Sequence, residues 1–187
     1  MNKQQKIENF DPSQPGLADA TIFGLPFTAE ESEIIIIPVP WEVTVSYGAG
    51  ASEGPAAIFD ASFQVDLLHQ DFPELWKLGI YMDEAPEQWA KNSEKYKNIA
   101  QPIIEALENG EDVETFPALM EDLHKINTAC RTLHTEVKEK VLFWQNKGKK
   151  VALLGGDHST PLGYYEALAT QYDDFGILHL DAHMDLR

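Results

Sequence analysis

The sequence predicts an α/β fold of three layers, a mostly parallel sheet with helices on both faces. Three observations predict it. Ile34-Ile35-Ile36-Ile37 and Val151-Ala152-Leu153-Leu154 are short, unbroken apolar runs of the kind that strands buried on both faces require. Between them an apolar stripe recurs at three- and four-residue steps, the period of a helix facing a core. Strand and helix patterns also alternate along the chain, which calls for crossover connections between parallel strands.

The elements follow in order. Residues 1–32 are polar, broken by Pro12 and Pro15, and read as an amino-terminal arm. The β-branched run Ile34–Ile37 is stopped by Pro38. Val39-Pro40-Trp41-Glu42-Val43-Thr44-Val45-Ser46-Tyr47 then leads into a small-residue loop, Gly48-Ala49-Gly50-Ala51-Ser52. Gly54-Pro55 opens a short helix through Ala56, Ile58 and Ala61, with the proline well placed in its first turn. Leu78-Gly79-Ile80-Tyr81-Met82 forms a second strand. Residues 86–147 read as helical in at least two pieces, the first interrupted by Pro102 and separated from the second by Gly110 and Pro117. In the second, Leu119, Leu123, Ile126, Cys130, Leu133, Val137 and Val141 make one core-facing stripe, while Glu136, Lys138, Glu139 and Lys140 make a solvated face. Gly148 closes this helix ahead of the strand at 151–154. The turn Gly155-Gly156-Asp157-His158-Ser159-Thr160 precedes a helix from Pro161 to Tyr172, and Phe175-Gly176-Ile177-Leu178-His179-Leu180 is a further strand leading into Asp181. With no internal repeat or low-complexity tract, the chain divides into the arm and a single domain, 33–187, carrying a helical insertion at about 86–147.

Composition narrows the function. At 187 residues with 43% hydrophobic content, the chain can bury one sizeable core. With 31 acidic against 14 basic residues the formal charge is −17, which repels phosphate backbones and anionic lipid. Nucleic acid and membrane are therefore excluded as expected partners, and a cationic substrate or divalent metal is favoured. Cys130 is the single cysteine, so no intrachain disulfide forms. Its place in a helical stripe suits a small buried side chain rather than a nucleophile. The polar start, MNKQQKIENFDPSQPG, has no signal-peptide pattern, and no apolar run reaches the roughly eighteen residues of a membrane span. The expected compartment is the cytoplasm.

Two segments carry chemistry. Gly155–Ser159 and Asp181–Asp185 each follow a predicted strand, and open parallel sheets gather ligands at the carboxyl ends of their strands. Asp181, His183 and Asp185 occupy alternate positions; in an extended chain their side chains project from one face about 6–7 Å apart. Imidazole and carboxylate donors without thiolate suit Mn²⁺, Zn²⁺, Fe²⁺ or Ni²⁺. A plainer reading stands beside this one. Asp181–Asp185 alone is also the pattern of an ion-paired strand end, and His158 alone that of a hydrogen-bonded turn histidine. Asp157 is expected to be structural, accepting backbone N–H groups in the turn or capping the next helix, with Ser159 and Thr160 as alternative caps. His179 either supports the ligands from behind or sits as a satisfied core histidine. His69, His124 and His134 lie in no motif and are taken as surface or helix residues.

Gly155-Gly156-Asp157-His158-Ser159 followed by Asp181-Ala182-His183-Met184-Asp185, with 23 residues from His158 to Asp181, resembles the signature of the ureohydrolase family (arginase, agmatinase, formimidoylglutamase). Val39-Pro40-Trp41 through Ser46-Tyr47 and Gly54-Pro55 resembles the family's amino-terminal strand, loop and helix. Together these regions cover roughly residues 33–65 and 150–187.

The resemblance implies an arginase-like fold and two divalent metal ions, most often manganese, sharing a hydroxide that attacks a guanidinium or formimino carbon. By motif, His158 binds one metal and His183 the other; Asp181 bridges both, and Asp185 binds metal while orienting the hydroxide. Gly155, Gly156, Asp157, Ser159 and His179 would support that set. The expected reaction is agmatinase-like, agmatine to putrescine with release of urea, acting on a small cationic guanidino substrate in a homo-oligomer, a trimer or hexamer. Formimidoylglutamate and arginine are alternative substrates. Two departures matter. The family carries further metal-binding aspartates in a later segment, whereas this sequence stops at Arg187, so the sheet is expected to be incomplete at its carboxyl end and a non-catalytic truncated fragment is the competing expectation. The loop Gly48-Ala49-Gly50 also lacks the arginine that many relatives carry after the Ser-Tyr pair.

Overall fold

The structure is a computed structural model that describes residues 1–14, 16, 20–45 and 48–183. Its centre is a parallel sheet of three strands, β1 (Ile34–Val39), β2 (Ile80–Met82) and β3 (Lys150–Gly155), in the order β2-β1-β3. Around it stand five helices among the described residues: α1 (Lys3–Asn9), α2 (Gly54–Ser62), α3 (Glu87–Glu108), α4 (Pro117–Asn146) and α5 (Leu162–Leu168). The fold is the expected α/β class.

Register assigns the two faces. Ile35 aligns with Tyr81 on one side and Val151 on the other, and Ile37 aligns with Leu153. These side chains form one core with Trp89, Ala100 and Ile103 of α3, Leu133, Val137 and Val141 of α4, and Ala167 of α5. Ile35, Ile37 and Val39 are fully buried, each stabilising the fold by about 1.5–3 kcal/mol. The opposite face carries Ile34, Ile36 and Ile80. There Leu25, Phe27 and Trp76 pack with Ile80 and with Ile7 and Phe10 at α1, while α2 starts beside the end of β3. This face is less fully covered, and Ala152 is exposed on it. The amino-terminal residues are thus not all solvated, since Ile22, Leu25 and Phe27 are part of the interior.

The structure departs from the sequence reading at three places. Pro102 does not interrupt α3, which runs unbroken from Glu87 to Glu108. The proline is exposed, and burial of Ala100, Ile103 and Ala106 on the other side of the helix offsets the hydrogen bond it cannot donate. On α4, Glu136 and Lys140 are not simply solvated. Glu136 accepts the Trp89 indole N–H, and Lys140 pairs with Asp83 at 2.8 Å, the same carboxylate that accepts the Trp144 N–H at 2.8 Å. Finally, Phe175–Leu180 is not a strand. A strand forms only where its backbone groups find a partner, and no described strand lies beside this segment; Leu178 and Leu180 are each 85% exposed. No helix among the described residues is long and apolar enough to cross a membrane.

Candidate metal centre

Close backbone packing builds the turn after β3. The Gly156 N–H donates to the Val39 carbonyl at 3.2 Å and the Asp157 N–H to the Trp41 carbonyl at 2.8 Å, so the exits of β3 and β1 run together. A side chain at Gly156 has no room: an ideal Cβ would stand 2.1 Å from the Trp41 oxygen. Asp157 locks the turn. Its Oδ1 accepts the Ser159 N–H at 2.9 Å and the Ser159 hydroxyl at 2.6 Å, and its Oδ2 accepts the Val43 N–H at 3.2 Å. The Ser159 hydroxyl proton is thereby committed to Asp157. Ser46 and Tyr47 lie outside the described residues.

His158 leaves this turn toward solvent and meets the segment that ends in Asp181. His158 Nδ1 stands 3.8 Å from Asp181 Oδ2, and His179 Nε2 stands 3.6 Å from the same oxygen. The His158 and His179 rings meet edge to face, 5.2 Å apart at 73°. The other oxygen, Asp181 Oδ1, accepts the His183 N–H at 2.7 Å and lies 3.2 Å from His183 Nδ1. This hydrogen bond from two residues on bends the chain at 182–183, so Asp181 and His183 do not project side by side from an extended strand. The main-chain N–H of His183 holds the Asp181 carboxyl below its ordinary range against the cost of burial, helped by the His183 and His179 side chains and the charge of His158. Asp181 is therefore an ionised carboxylate between imidazoles. His179 is exposed, which removes its reading as a core histidine. Asp185 and Met184 lie outside the described residues.

Two groups nearby escaped the sequence reading. Glu42 is fully buried; its Oε2 accepts the N–H groups of Gly50 and Ser52 at 2.8 and 3.1 Å, and its Oε1 takes the Lys97 ammonium of α3. Its main chain is pinned to α3 as well, the Glu42 N–H donating to the Ser93 hydroxyl at 2.8 Å. The available signal was a lone charge in the otherwise apolar stretch Val39–Val43, since a buried carboxylate needs partners. His134 of α4 lies half-buried beneath the turn, and burial pushes its imidazole below the ordinary histidine value. Its neighbour Cys130 is held as the thiol by burial and by the charge of Asp157. The site itself is open. A cavity of about 1040 Å³ lies elsewhere, lined by Phe27, Tyr81, Asp83 and Trp144.

Comparison with known proteins gives this geometry a context. A family model described as the arginase family matches residues 32–187. An N(1)-aminopropylagmatine ureohydrolase of Thermus thermophilus is 29% identical over 157 residues, a match spanning 84% of this chain and 41% of that protein. The agmatinase of Bacillus anthracis is 28% identical over 158 residues, covering 84% and 42%. The proclavaminate amidinohydrolase of Streptomyces clavuligerus is 27% identical over 153 residues, covering 82% and 38%. The chain thus spans about two-fifths of the length of the curated relatives it matches. No solved structure matches it. A parallel sheet whose strand-end turn carries His158 against Asp181, in a chain matched from residue 32 to residue 187 by one family model, places this chain in the arginase family.

Proposed function

We propose that the chain carries the metal-binding part of an agmatinase-type ureohydrolase, which splits a guanidino C–N bond, releases urea and leaves an amine, agmatine giving putrescine. The observation that carries this reading is the approach of His158 and His179 to one oxygen of an ionised Asp181 at the end of β3. The relatives named agmatinase and N(1)-aminopropylagmatine ureohydrolase supply the substrate class.

The donor set fits a divalent metal. Imidazole nitrogens and a carboxylate, with no thiolate, suit Mn²⁺ or a neighbouring first-row ion, and the family resemblance implies two. Such ions supply the Lewis acidity that a resonance-stabilised guanidino carbon requires. His158, Asp181 and His183 are the residues proposed to hold them, with Asp185 as a further ligand. The chain's own contributions are positional. Asp157 fixes the turn that presents His158, and the His183 N–H orients the Asp181 carboxylate. A net charge of −17 favours approach of a cationic guanidino substrate. A homo-oligomer, trimeric or hexameric, working in the cytoplasm belongs to the same proposal.

The test is product analysis on the manganese-loaded protein. Agmatine, N(1)-aminopropylagmatine, arginine and formimidoylglutamate are offered in parallel, with urea and formamide both measured. Urea from agmatine supports the reading, and formamide from formimidoylglutamate replaces the substrate. If no product forms from any of the four, the enzymatic reading fails for this chain and the non-catalytic one takes its place.

A further inference from the structure

We propose that the cavity beside β2 is a binding site for a small organic cation, an ammonium group carried on an apolar body. The site is separate from the metal centre: the cavity runs along the edge strand β2, and β1 lies between that strand and β3.

Shape comes first. The cavity has a volume of about 1040 Å³, the size of a small-molecule site, and its walls come from the amino-terminal arm, from β2 with its exit, and from Trp144 of α4. Phe27, Tyr81 and Trp144 make the walls aromatic. Two of these rings are held from behind. Phe27 is buried against Trp76, ring centroids 6.3 Å apart, and the buried Trp144 gives its N–H to Asp83 at 2.8 Å. Walls fixed in advance lose little freedom when a ligand enters.

Charge selects the ligand. Glu30, Asp83 and Glu84 stand in the same walls. Against burial, the Lys140 ammonium and the Trp144 N–H hold the Asp83 carboxyl below its ordinary value, so it is ionised. Lys140 answers that one carboxylate at 2.8 Å, whereas Glu30 and Glu84 are exposed, and Lys149 meets Glu30 at its main-chain oxygen, 2.6 Å away. Tyr81 shows the sign of the resulting field. Burial, then the charges of Asp83, Glu84 and Glu30, push its hydroxyl above the ordinary value, so three carboxylates from two segments converge on one wall.

The rings act in the same direction. An aromatic face is negative and attracts cations within about 6 Å. Two of these rings already do so inside the chain: the Lys3 ammonium stands 5.7 Å from the Phe27 centroid and the Lys147 ammonium 4.9 Å from that of Trp144. An anion in the cavity meets carboxylates and ring faces together and is repelled. A neutral ligand gains only from leaving water. An ammonium on an apolar body gains from both kinds of wall.

The test is calorimetric titration of the full chain with phenethylammonium, phenethyl alcohol and phenylacetate, probes of similar body and different charge. The cation is expected to bind at one site per chain, at least ~5-fold tighter than the alcohol, and phenylacetate not to bind. The double variant E30Q/E84Q changes two exposed side chains, and circular dichroism verifies that it is folded. It is expected to weaken the cation by at least ~5-fold and to leave the alcohol unchanged, and added Mn²⁺ is expected to leave both unchanged. Equal affinity for cation and alcohol overturns the proposal, as does the lack of saturable cation binding. Unaltered cation binding in E30Q/E84Q, or its displacement by Mn²⁺, places the cation elsewhere and overturns it too. The hydrolase reading stands or falls separately, on its own product assay.

Discussion

Asp157 Oδ2 accepts the Val43 N–H at 3.2 Å, so a residue of the turn after β3 holds the segment that leaves β1. The same carboxylate takes both the amide and the hydroxyl of Ser159. Replacing it with alanine leaves these donors without an acceptor, a loss of about 1–3 kcal/mol. D157A is expected to lower the urea midpoint accordingly, and D157N to recover part of the loss because its carbonyl oxygen still accepts. An unchanged midpoint in D157A would show that the turn stands without this clamp.

Glu42 gives a pH dependence with a definite sign. Burial alone would raise its carboxyl, but the Lys97 ammonium and the Ser52 and Gly50 N–H groups outweigh it and hold the group below its ordinary value of 4.5. A depressed carboxyl contributes stability that is complete above the unfolded-state value and is lost as pH falls through the lower folded-state value. E42Q is expected to be less stable than the unmodified chain near neutral pH and to lose less on acidification below about pH 4.5. K97M leaves the carboxylate buried without its cation, at a cost of about 3–5 kcal/mol, toward the lower end because the Lys97 side chain is 37% exposed. Melting temperatures across this pH range for both variants check the claim; parallel curves for E42Q and the unmodified chain would refute it.

Gly156 sits where backbone meets backbone. A methyl group there would lie 2.1 Å from the Trp41 oxygen and 2.7 Å from the Val39 oxygen, neither the end of a flexible side chain. Overpacking typically costs about 1–3 kcal/mol, and a backbone clash belongs at or beyond the upper end. G156A is therefore expected to melt well below G176A, whose glycine faces open space. Equal melting temperatures would contradict the close approach of β1 and β3.

The segment after α5 exposes Ile177, Leu178 and Leu180 together, at 56%, 85% and 85%. Neighbouring exposed apolar side chains mark association surfaces. Replacing Leu178 and Leu180 with lysine is expected to reduce concentration-dependent self-association in sedimentation while leaving the melting temperature within a degree or two. A large drop in melting temperature would mean that these leucines are part of the packed interior.

What the sequence discloses depends on how local its cause is. Ile34–Ile37 and Val151–Leu154 announce strands because an unbroken apolar run has few other uses, and the α4 stripe through Leu133, Val137 and Val141 announces a core-facing helix by its period. Phe175–Leu180 has the same strand-like composition as β1, yet pairing depends on a neighbour that no local pattern encodes. Pro102 is misleading for a related reason, since its exposure and the burial of Ile103 are set by the helices around α3. At the site, Asp157 is legible because a carboxylate two residues before an N–H is a local turn device. The meeting of His158 with His179 and Asp181 is not, because it depends on how a strandless segment folds back on the sheet. Glu42 found its cation 55 positions away on α3, a distance at which pattern carries no information.

The pairing of Ile35 with Val151, 116 positions apart, has a kinetic consequence. The sheet cannot be assembled as the chain emerges from synthesis in order: β1 must wait for its β3 neighbour until α3 and α4 have been made. Closing so long a loop is entropically slow, and contacts of this range are what retard folding. The packing of α3 against α4 through Ala100, Ile103 and Ile126 is nearer in sequence and shortens the effective loop. A helix pair that formed first would be a template on which Ile35 and Val151 find one another, and changes in that pair would then alter the folding rate more than the unfolding rate.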